Sequence, residues 1–187
     1  SRISYAYFPT TSIVSLVYLM QDGATDEIAA VGNEGVVGVP LFMGSDTTPS
    51  RAVVRCAGCA LRMKGRLMLE EFQRSAGVQE ILLRYTQSLF AQIAKTAACN
   101  RHHPVNQQLC RWILSSLDRM PSNVLEITHE SIAGMLGVRR ATVSMEAARL
   151  QTAGLIRNGR GRITVLDRER LEARACECYG GIKREFG

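Results

Sequence analysis

The apolar pattern of this chain changes period near Arg66. Before that point short apolar runs are β-branched and broken by turn residues every 8–12 residues or so, as in strands. From Leu69 onward apolar residues recur at helical spacing. Strands first and helices afterwards imply an α+β chain built from separate parts, not one sandwich or one bundle. The 187 residues suffice for one large or two small domains with real cores, and 46% hydrophobic with 21% charged residues argues against disorder. No apolar run approaches the roughly 18–20 residues of a membrane helix, so no membrane partner is expected.

In the first part, "SIVSLVYLM", "TDEIAAV", "RAVVRC" and "CALRM" read as strands. "QDGA" is a hairpin turn between the first two, "GNEG" turns again, and Ala57-Gly58 is expected to close a hairpin between the last two. A small antiparallel sandwich or barrel is implied. The chain enters this pattern at once from Ser1, and no secretory leader is expected.

The helical stretch from Leu69 to about Cys99 carries an apolar stripe of Leu82, Tyr85, Leu89 and Thr96, widened by Ile81 and Ile93. That stripe exceeds what a small sandwich covers, and a second copy of the chain is the expected partner. Pro104 ends the helix, because it disfavours helical geometry at His103.

Downstream, "VNQQLCRWILSSLDRM" is an amphipathic helix and "PSNVLEI" leads to a short extended piece. "THESIAGML" is a helix capped by Thr128, "GVR" a tight turn, and "RATVSMEAARLQTAG" a second helix ending at Gly154. "LIRNGRGRITVL" reads as two strands around a Gly-rich tip, and "DRERLEARACECYGGIKREF" as one terminal helix. Helix, Gly turn, helix and two-stranded wing make a winged helix-turn-helix.

Formal charge is +6, a modest excess, but its distribution is uneven. Arg139, Arg140, Arg149, Arg157, Arg160 and Arg162 are offset between them only by Glu146. Adjacent arginines at a helix start oppose the helix dipole, a cost that a docked polyanion offsets. The outer face of the second helix is expected to present Arg140, Thr142 and Ser144 early and Arg149 late, with Arg160 and Arg162 on the wing. Arginine can pair with guanine edges, and hydroxyls can hold phosphate, so double-stranded DNA is the expected partner.

"CNRHHPVNQQLCRWIL", "ITHESIAGMLGVRRATVSMEAARLQTAGLI" and "YFPTTSIVSLVYLM…VGNEGVVGVPLFMG" resemble the CRP/FNR superfamily of bacterial transcription regulators over nearly the whole chain. The resemblance implies an N-terminal cyclic-nucleotide-binding-type β-roll (1–67), whose opening strands are expected before Ser1. It further implies a dimerisation helix and hinge (68–103) and a winged helix-turn-helix (104–187). It implies a cytoplasmic homodimer on an inverted-repeat operator, with RNA polymerase as a further partner. Carried over by position, the base readers are Arg140, Ala141 and Met145, with Thr128 and Arg139 also at the DNA. Ala141 and Met145 stand where the best-known members have glutamate and arginine, so the half-site should differ from theirs.

The family's Gly-Glu-Leu turn reads Gly38-Val39-Pro40 here, without the ribose-binding carboxylate. Its phosphate-binding arginine falls one place late, at Arg51, which on a strand faces the other side. Cyclic AMP is therefore not the expected effector, which stays unidentified, and no cofactor is expected.

The six cysteines suggest a reducing compartment, not a disulfide framework. Cys56 and Cys59 form a CxxC on a hairpin without a second ligand pair, so packing is preferred there and a redox- or metal-sensing regulator is the alternative. Cys99, His102 and His103 gather at the hinge, and Cys176 and Cys178 on the last helix; both groups read as packing. No paired carboxylates, phosphate-binding Gly loop or Ser/His/Asp order stands out, so an enzyme is not expected.

Overall fold

The computed structural model describes residues 2–186. Its first part is a β-roll of two small sheets. Strand β1 (Tyr5–Pro9) pairs antiparallel with β5 (Ala60–Lys64), and β2 (Ile13–Leu19) lies between β3 (Thr25–Val31) and β4 (Arg51–Cys56). The β2–β3 hairpin forms as the sequence implies. Gly23 takes φ 88°, and Asp22 caps the turn by accepting from the Ala24 N–H at 3.0 Å.

The hairpin expected at Ala57-Gly58 does not form. Strand β4 pairs with β2, whereas β5 pairs with β1, so residues 57–59 cross from one sheet to the other. They cross beside residues 10–12, which make the same passage. The Cys59 carbonyl accepts from the Thr10 and Thr11 N–H groups at 2.9 and 3.3 Å, and the Cys59 N–H donates to Thr11 Oγ1 at 2.9 Å. Gly58 permits this approach, since a Cβ there would lie 2.6 Å from the Thr11–Ser12 backbone.

Two helices follow. α1 (Gly65–Arg74) is separated by Ser75 from α2 (Ala76–His102), so the expected single stretch is interrupted. Ser75 caps the second helix by accepting from the Val78 N–H. At 27 residues, α2 is about 40 Å long. It ends where Pro104 requires, with His103 extended (φ −103°, ψ 146°).

The stripe assigned to a dimer seam lies inside the protomer. Leu82, Tyr85 and Leu89 complete the β-roll core with Ala29, Val31, Val36 and Phe42; Ile93 packs at its edge. Thr96 is also buried within the chain. A half-roll of two small sheets leaves one side open, and α2 closes it. Ile81, expected to widen the stripe, is instead exposed, and among the other apolar residues that α2 leaves exposed Leu83, Phe90, Ala94 and Ala97 share one flank of the helix.

The second part contains α3 (Val105–Leu117), β6 (Val124–Glu126), α4 (His129–Leu136), α5 (Arg140–Thr152), β7 (Ile156–Gly159) and β8 (Arg162–Val165). Its sheet order is β6-β8-β7. Its core gathers Leu109, Trp112, Ile113, Ile132, Leu136, Val143, Leu150, Leu155 and Ile163. The expected single terminal helix is two, α6 (Arg168–Glu172) and α7 (Glu177–Phe186), because residues 173–176 turn the chain so that α7 lies along α2. Lys95 there forms an ion pair with Glu185 and donates to the Gly181 carbonyl at 3.0 Å.

Besides this α2–α7 contact, the roll itself meets the second part at several points. Glu34 accepts from Arg119 Nε at 2.6 Å, with both side chains largely buried. Arg55 pairs with Glu27 inside the roll and lays its guanidinium 4.5 Å from the Trp112 ring on α3. Asp26 and Thr25, at the start of β3, pack on α4 beside Gly137 and Gly134. No helix among the described residues is long and apolar enough to cross a membrane.

Candidate nucleic-acid interface

Helix α4 begins at Thr128, whose hydroxyl oxygen accepts from the Ser131 N–H at 3.1 Å. Gly137 ends it in the left-handed region (φ 63°), and the Val138 N–H closes the turn on the Ala133 carbonyl at 3.0 Å. An added Cβ would also press on the Asp26 carboxylate. We expect Gly137→Val to lose at least the roughly 1–2 kcal/mol of a left-handed L-residue and to weaken DNA binding with it. Asn tolerates that backbone, so Gly137→Asn should keep most of the stability in a thermal melt. Equal losses for the two would remove the backbone explanation.

Helix α5 starts at Arg139, which caps it without a side-chain hydrogen bond. Its inward face is Val143, Glu146, Ala147 and Leu150. Its outward face exposes Arg140, Ala141, Met145 and Arg149, with Thr142 half-buried at the edge. Arg140 has only a distant carboxylate, Glu130 at 3.9 Å, and both side chains are exposed. A pair of that kind is worth little and yields readily to a phosphate or a base.

Glu146, the acid among these arginines, lies on the inward face. Its side chain is buried on α5 and accepts from Arg149 Nη1 at 2.7 Å. Arg149 therefore starts from an ion pair and is less free than Arg139 or Arg140.

Ser144 lies half-buried in a network that sequence reasoning missed. His129 bridges Ser144 Oγ (2.9 Å from Nδ1) and Asn158 Oδ1 (3.0 Å from Nε2). With the Asn158 oxygen accepting from Nε2–H, Nδ1 accepts the Ser144 hydroxyl proton. Ser144 then has no donor left for a phosphate, and it fixes the helix relative to the wing. Asn158 is held in turn by Gln151, which accepts from its N–H at 2.7 Å. His129 at the first position of α4 carries no helix-turn-helix signal of its own, so only the fold reveals this link.

The wing brings Arg157, Arg160 and Arg162 around a shallow hollow with Glu126, Gly159 and Gly161. Arg162 is 3.7 Å from Glu126, and both side chains are exposed. Arg160 and Gly161 form the tip, where Gly161 takes φ 69°. Exposed cations thus occupy both the start of α5 and the wing.

The β-roll holds a cavity of about 730 Å³ between its sheets and α2. Its wall is mostly apolar, including Tyr5, Leu16, Val36, Val39, Leu89 and Ile93. Arg51 does not line it, in keeping with the one-place offset, and Val39 stands at the turn. Arg2, the lining cation, is already paired with Asp46 at 2.7 Å.

Cys56 is buried against Ile13 and Ala30, whereas Cys59 is exposed. Neither joins a group of three potential metal ligands among the described residues. Such a group forms elsewhere: Cys99, His103, Cys176 and Cys178 come together, while His102 points away as an exposed residue. Burial pushes the Cys99 thiol up to about 12 and raises that of Cys178. The available sequence signal was two close pairs, Cys-x₃-His and Cys-x-Cys, that nothing but the fold of α7 onto α2 could join.

Residues 107–174 match the Crp-like helix-turn-helix domain family. No curated protein matches the chain. Among solved structures it is similar to a CRP-family transcriptional regulator from Thermus thermophilus, at TM-score 0.78 and 19% identity over 94% of this chain and 89% of that one. FixK2 from Bradyrhizobium japonicum gives TM-score 0.77 and 18% identity over 94% and 89%. A second Thermus thermophilus regulator, of the CRP/FNR family, gives 0.70 and 20% over 94% and 88%. At these identities the likeness establishes the shared fold.

Proposed function

We propose that the chain is a CRP/FNR-type regulator, supported by its fold and by the Crp-like helix-turn-helix domain at residues 107–174, and that it binds an inverted-repeat operator as a two-fold dimer. The observation that carries this reading is the exposed cation pair Arg139-Arg140 at the start of α5, continued by Arg157, Arg160 and Arg162 on the wing. Helix α5 enters the major groove. Arg140, Ala141 and Met145 face base edges, and Arg139, Thr142 and the wing arginines hold phosphates. Thr128 and Ser144 act mainly in capping and positioning, and Arg149 contacts DNA only on leaving Glu146.

The reading divides the chain as 1–67 for the sensor, 68–103 for dimerisation and hinge, and 104–187 for DNA. The mostly apolar cavity, with no carboxylate for a ribose among its described lining residues and with its cation Arg2 on the exposed rim, favours an apolar effector over cyclic AMP. The dimer seam is the face of α2 that the roll leaves bare. Leu83, Phe90 and Ala97 recur there every seven residues with Ala94 between them, a spacing that suits a second copy of the same helix. Two recognition helices about that axis meet successive major grooves roughly 34 Å apart. RNA polymerase is a further partner, and the cell interior is the setting.

Selection of bound DNA from a random pool, followed by titration at several salt concentrations, tests the reading. Arg140→Ala should cost roughly 1–3 kcal/mol on the selected site and relax preference at one base pair per half-site. Arg139→Ala should weaken all sequences alike and flatten the salt slope by about one unit per chain. A pool that yields no inverted repeat would overturn the proposal. Equal, sequence-independent losses for both arginines would move base reading to Thr142, Met145 or DNA shape.

A further inference from the structure

Two distant pieces of chain supply thiols and an imidazole to one point at the C-terminal end of α2. Cys99 lies on the last turn of that helix, and His103 caps it. Cys176 and Cys178 flank Glu177 where α7 begins. Cys99 Sγ is 3.5 Å from Cys176 Sγ, and Cys178 Sγ is 3.7 Å from His103 Nδ1. All four potential ligand atoms lie within 4.8 Å of one another.

We propose that Cys99, His103, Cys176 and Cys178 bind a single zinc-class divalent ion in a Cys₃His site that clamps α7 to the end of α2. The proposal does not depend on the DNA-binding reading.

The spacing is that of a tetrahedron. Zinc bonds of about 2.3 Å to sulfur and 2.0–2.1 Å to nitrogen give ligand-to-ligand edges of about 3.5–3.8 Å. The two measured pairs already match such edges, and the remaining pairs need close by no more than about 1 Å. Small side-chain rotations supply that. Three sulfurs with one imidazole suit zinc and comparable borderline ions, not calcium or magnesium, which take oxygen ligands.

The surroundings suit an ion as well. With Nδ1 as the ligand, His103 Nε2–H points at Glu177 Oε1, 3.3 Å away. A carboxylate on the far side of a ligating imidazole fixes its tautomer and raises its basicity. Arg111 is buried with its Nε unpartnered, and its charge favours the Cys99 thiolate. Three thiolates, a neutral imidazole and a divalent cation sum to minus one, which the Arg111 cation offsets. Binding releases three protons from the thiols and moves no electrons.

Two other uses of these thiols explain less. A Cys99–Cys176 disulfide would leave Cys178, His103 and Glu177 without a role. An iron–sulfur cluster spreads its ligands over separate irons, whereas these four converge on one centre.

The test is titration of the reduced, full-length chain with cobalt(II), followed by displacement with zinc. One cobalt per chain with the strong visible bands of a tetrahedral thiolate site is expected, and zinc should abolish them. Cys178→Ser should weaken cobalt binding by at least about 100-fold. Glu177→Gln should weaken it by about 10–100-fold. Cys59→Ser, on the exposed strap of the roll, should leave it unchanged. A folding defect in Cys178→Ser would leave the wild-type spectrum decisive. Absence of tetrahedral bands in the reduced wild type overturns the site, as does equal binding by folded Cys178→Ser, or a bridging-sulfide spectrum from iron in the purified protein.

Discussion

Arg55→Ala is expected to cost the fold about 3–5 kcal/mol, the usual penalty for removing one member of a buried ion pair. The side chains of Arg55 and Glu27 are only 1% and 10% exposed. One guanidinium nitrogen donates to both carboxylate oxygens, at 3.0 and 2.9 Å, and the Ser15 hydroxyl donates to the same carboxylate. Without Arg55 that carboxylate stays buried with one hydroxyl for company. The loss also uncovers the Trp112 ring, so the joint between the roll and α3 loosens together with the core. Replacing both charges should behave differently. Glu27→Leu with Arg55→Met and Ser15→Ala removes every polar group of the set and should recover most of the loss. Urea denaturation of the single and triple variants decides. If the triple variant is no more stable than Arg55→Ala, the stranded charge is not the cause.

Phe90→Asp is expected to split the proposed dimer into folded protomers and to lower affinity for the proposed operator by about 10²–10⁴, the range over which linking two sites raises avidity. Phe90 is 60% exposed and Leu83 51%, so neither is needed to complete the protomer's own core. Phe90 also touches the cavity, so Leu83→Asp, away from its lining, is the companion variant and should act in the same direction. Leu89→Asp offers the contrast. At 7% exposure in the roll core, its charge should unfold the protomer rather than release it intact. Sedimentation with a folding probe separates these outcomes. Folded monomers from Leu89→Asp and intact dimers from the Leu83 and Phe90 variants would return the seam to the stripe read from sequence.

The buried stripe of α2 shows why part of the architecture escaped the sequence. Periodicity reveals that a helix has an apolar face but not what covers it. Leu82, Tyr85 and Leu89 make a cleaner stripe than Leu83, Phe90 and Ala97, and the cleaner stripe belongs to the protomer's own core. The misread hairpin at Ala57-Gly58 has a similar origin. A short Gly-containing link fits a sheet-to-sheet corner as well as a hairpin, and the deciding contacts come from residues 10–12. Where structure is local the sequence was sufficient. Thr128, Gly137 and Gly154 act at the termini of α4 and α5, and the switch at His103 follows from Pro104 alone. The cation-bearing face of α5 was legible for the same reason. The His129 bridge and the thiol–imidazole cluster were not, since each joins side chains from separate elements.

The turn that carries Glu34 runs without interruption into the wall of the roll's cavity. Glu34 holds Arg119, which also donates to the Ser115 carbonyl at 2.6 Å and lies 5.7 Å from the Phe186 ring. Residues 36–40 line the hollow. One short length of backbone therefore serves as both cup and tiller. On the proposed function, a molecule that filled the cup and shifted its wall would also steer the winged unit through Arg119. Linkage makes this traffic two-way: whatever factor such a filler applies to DNA affinity, bound DNA applies to the filler in return.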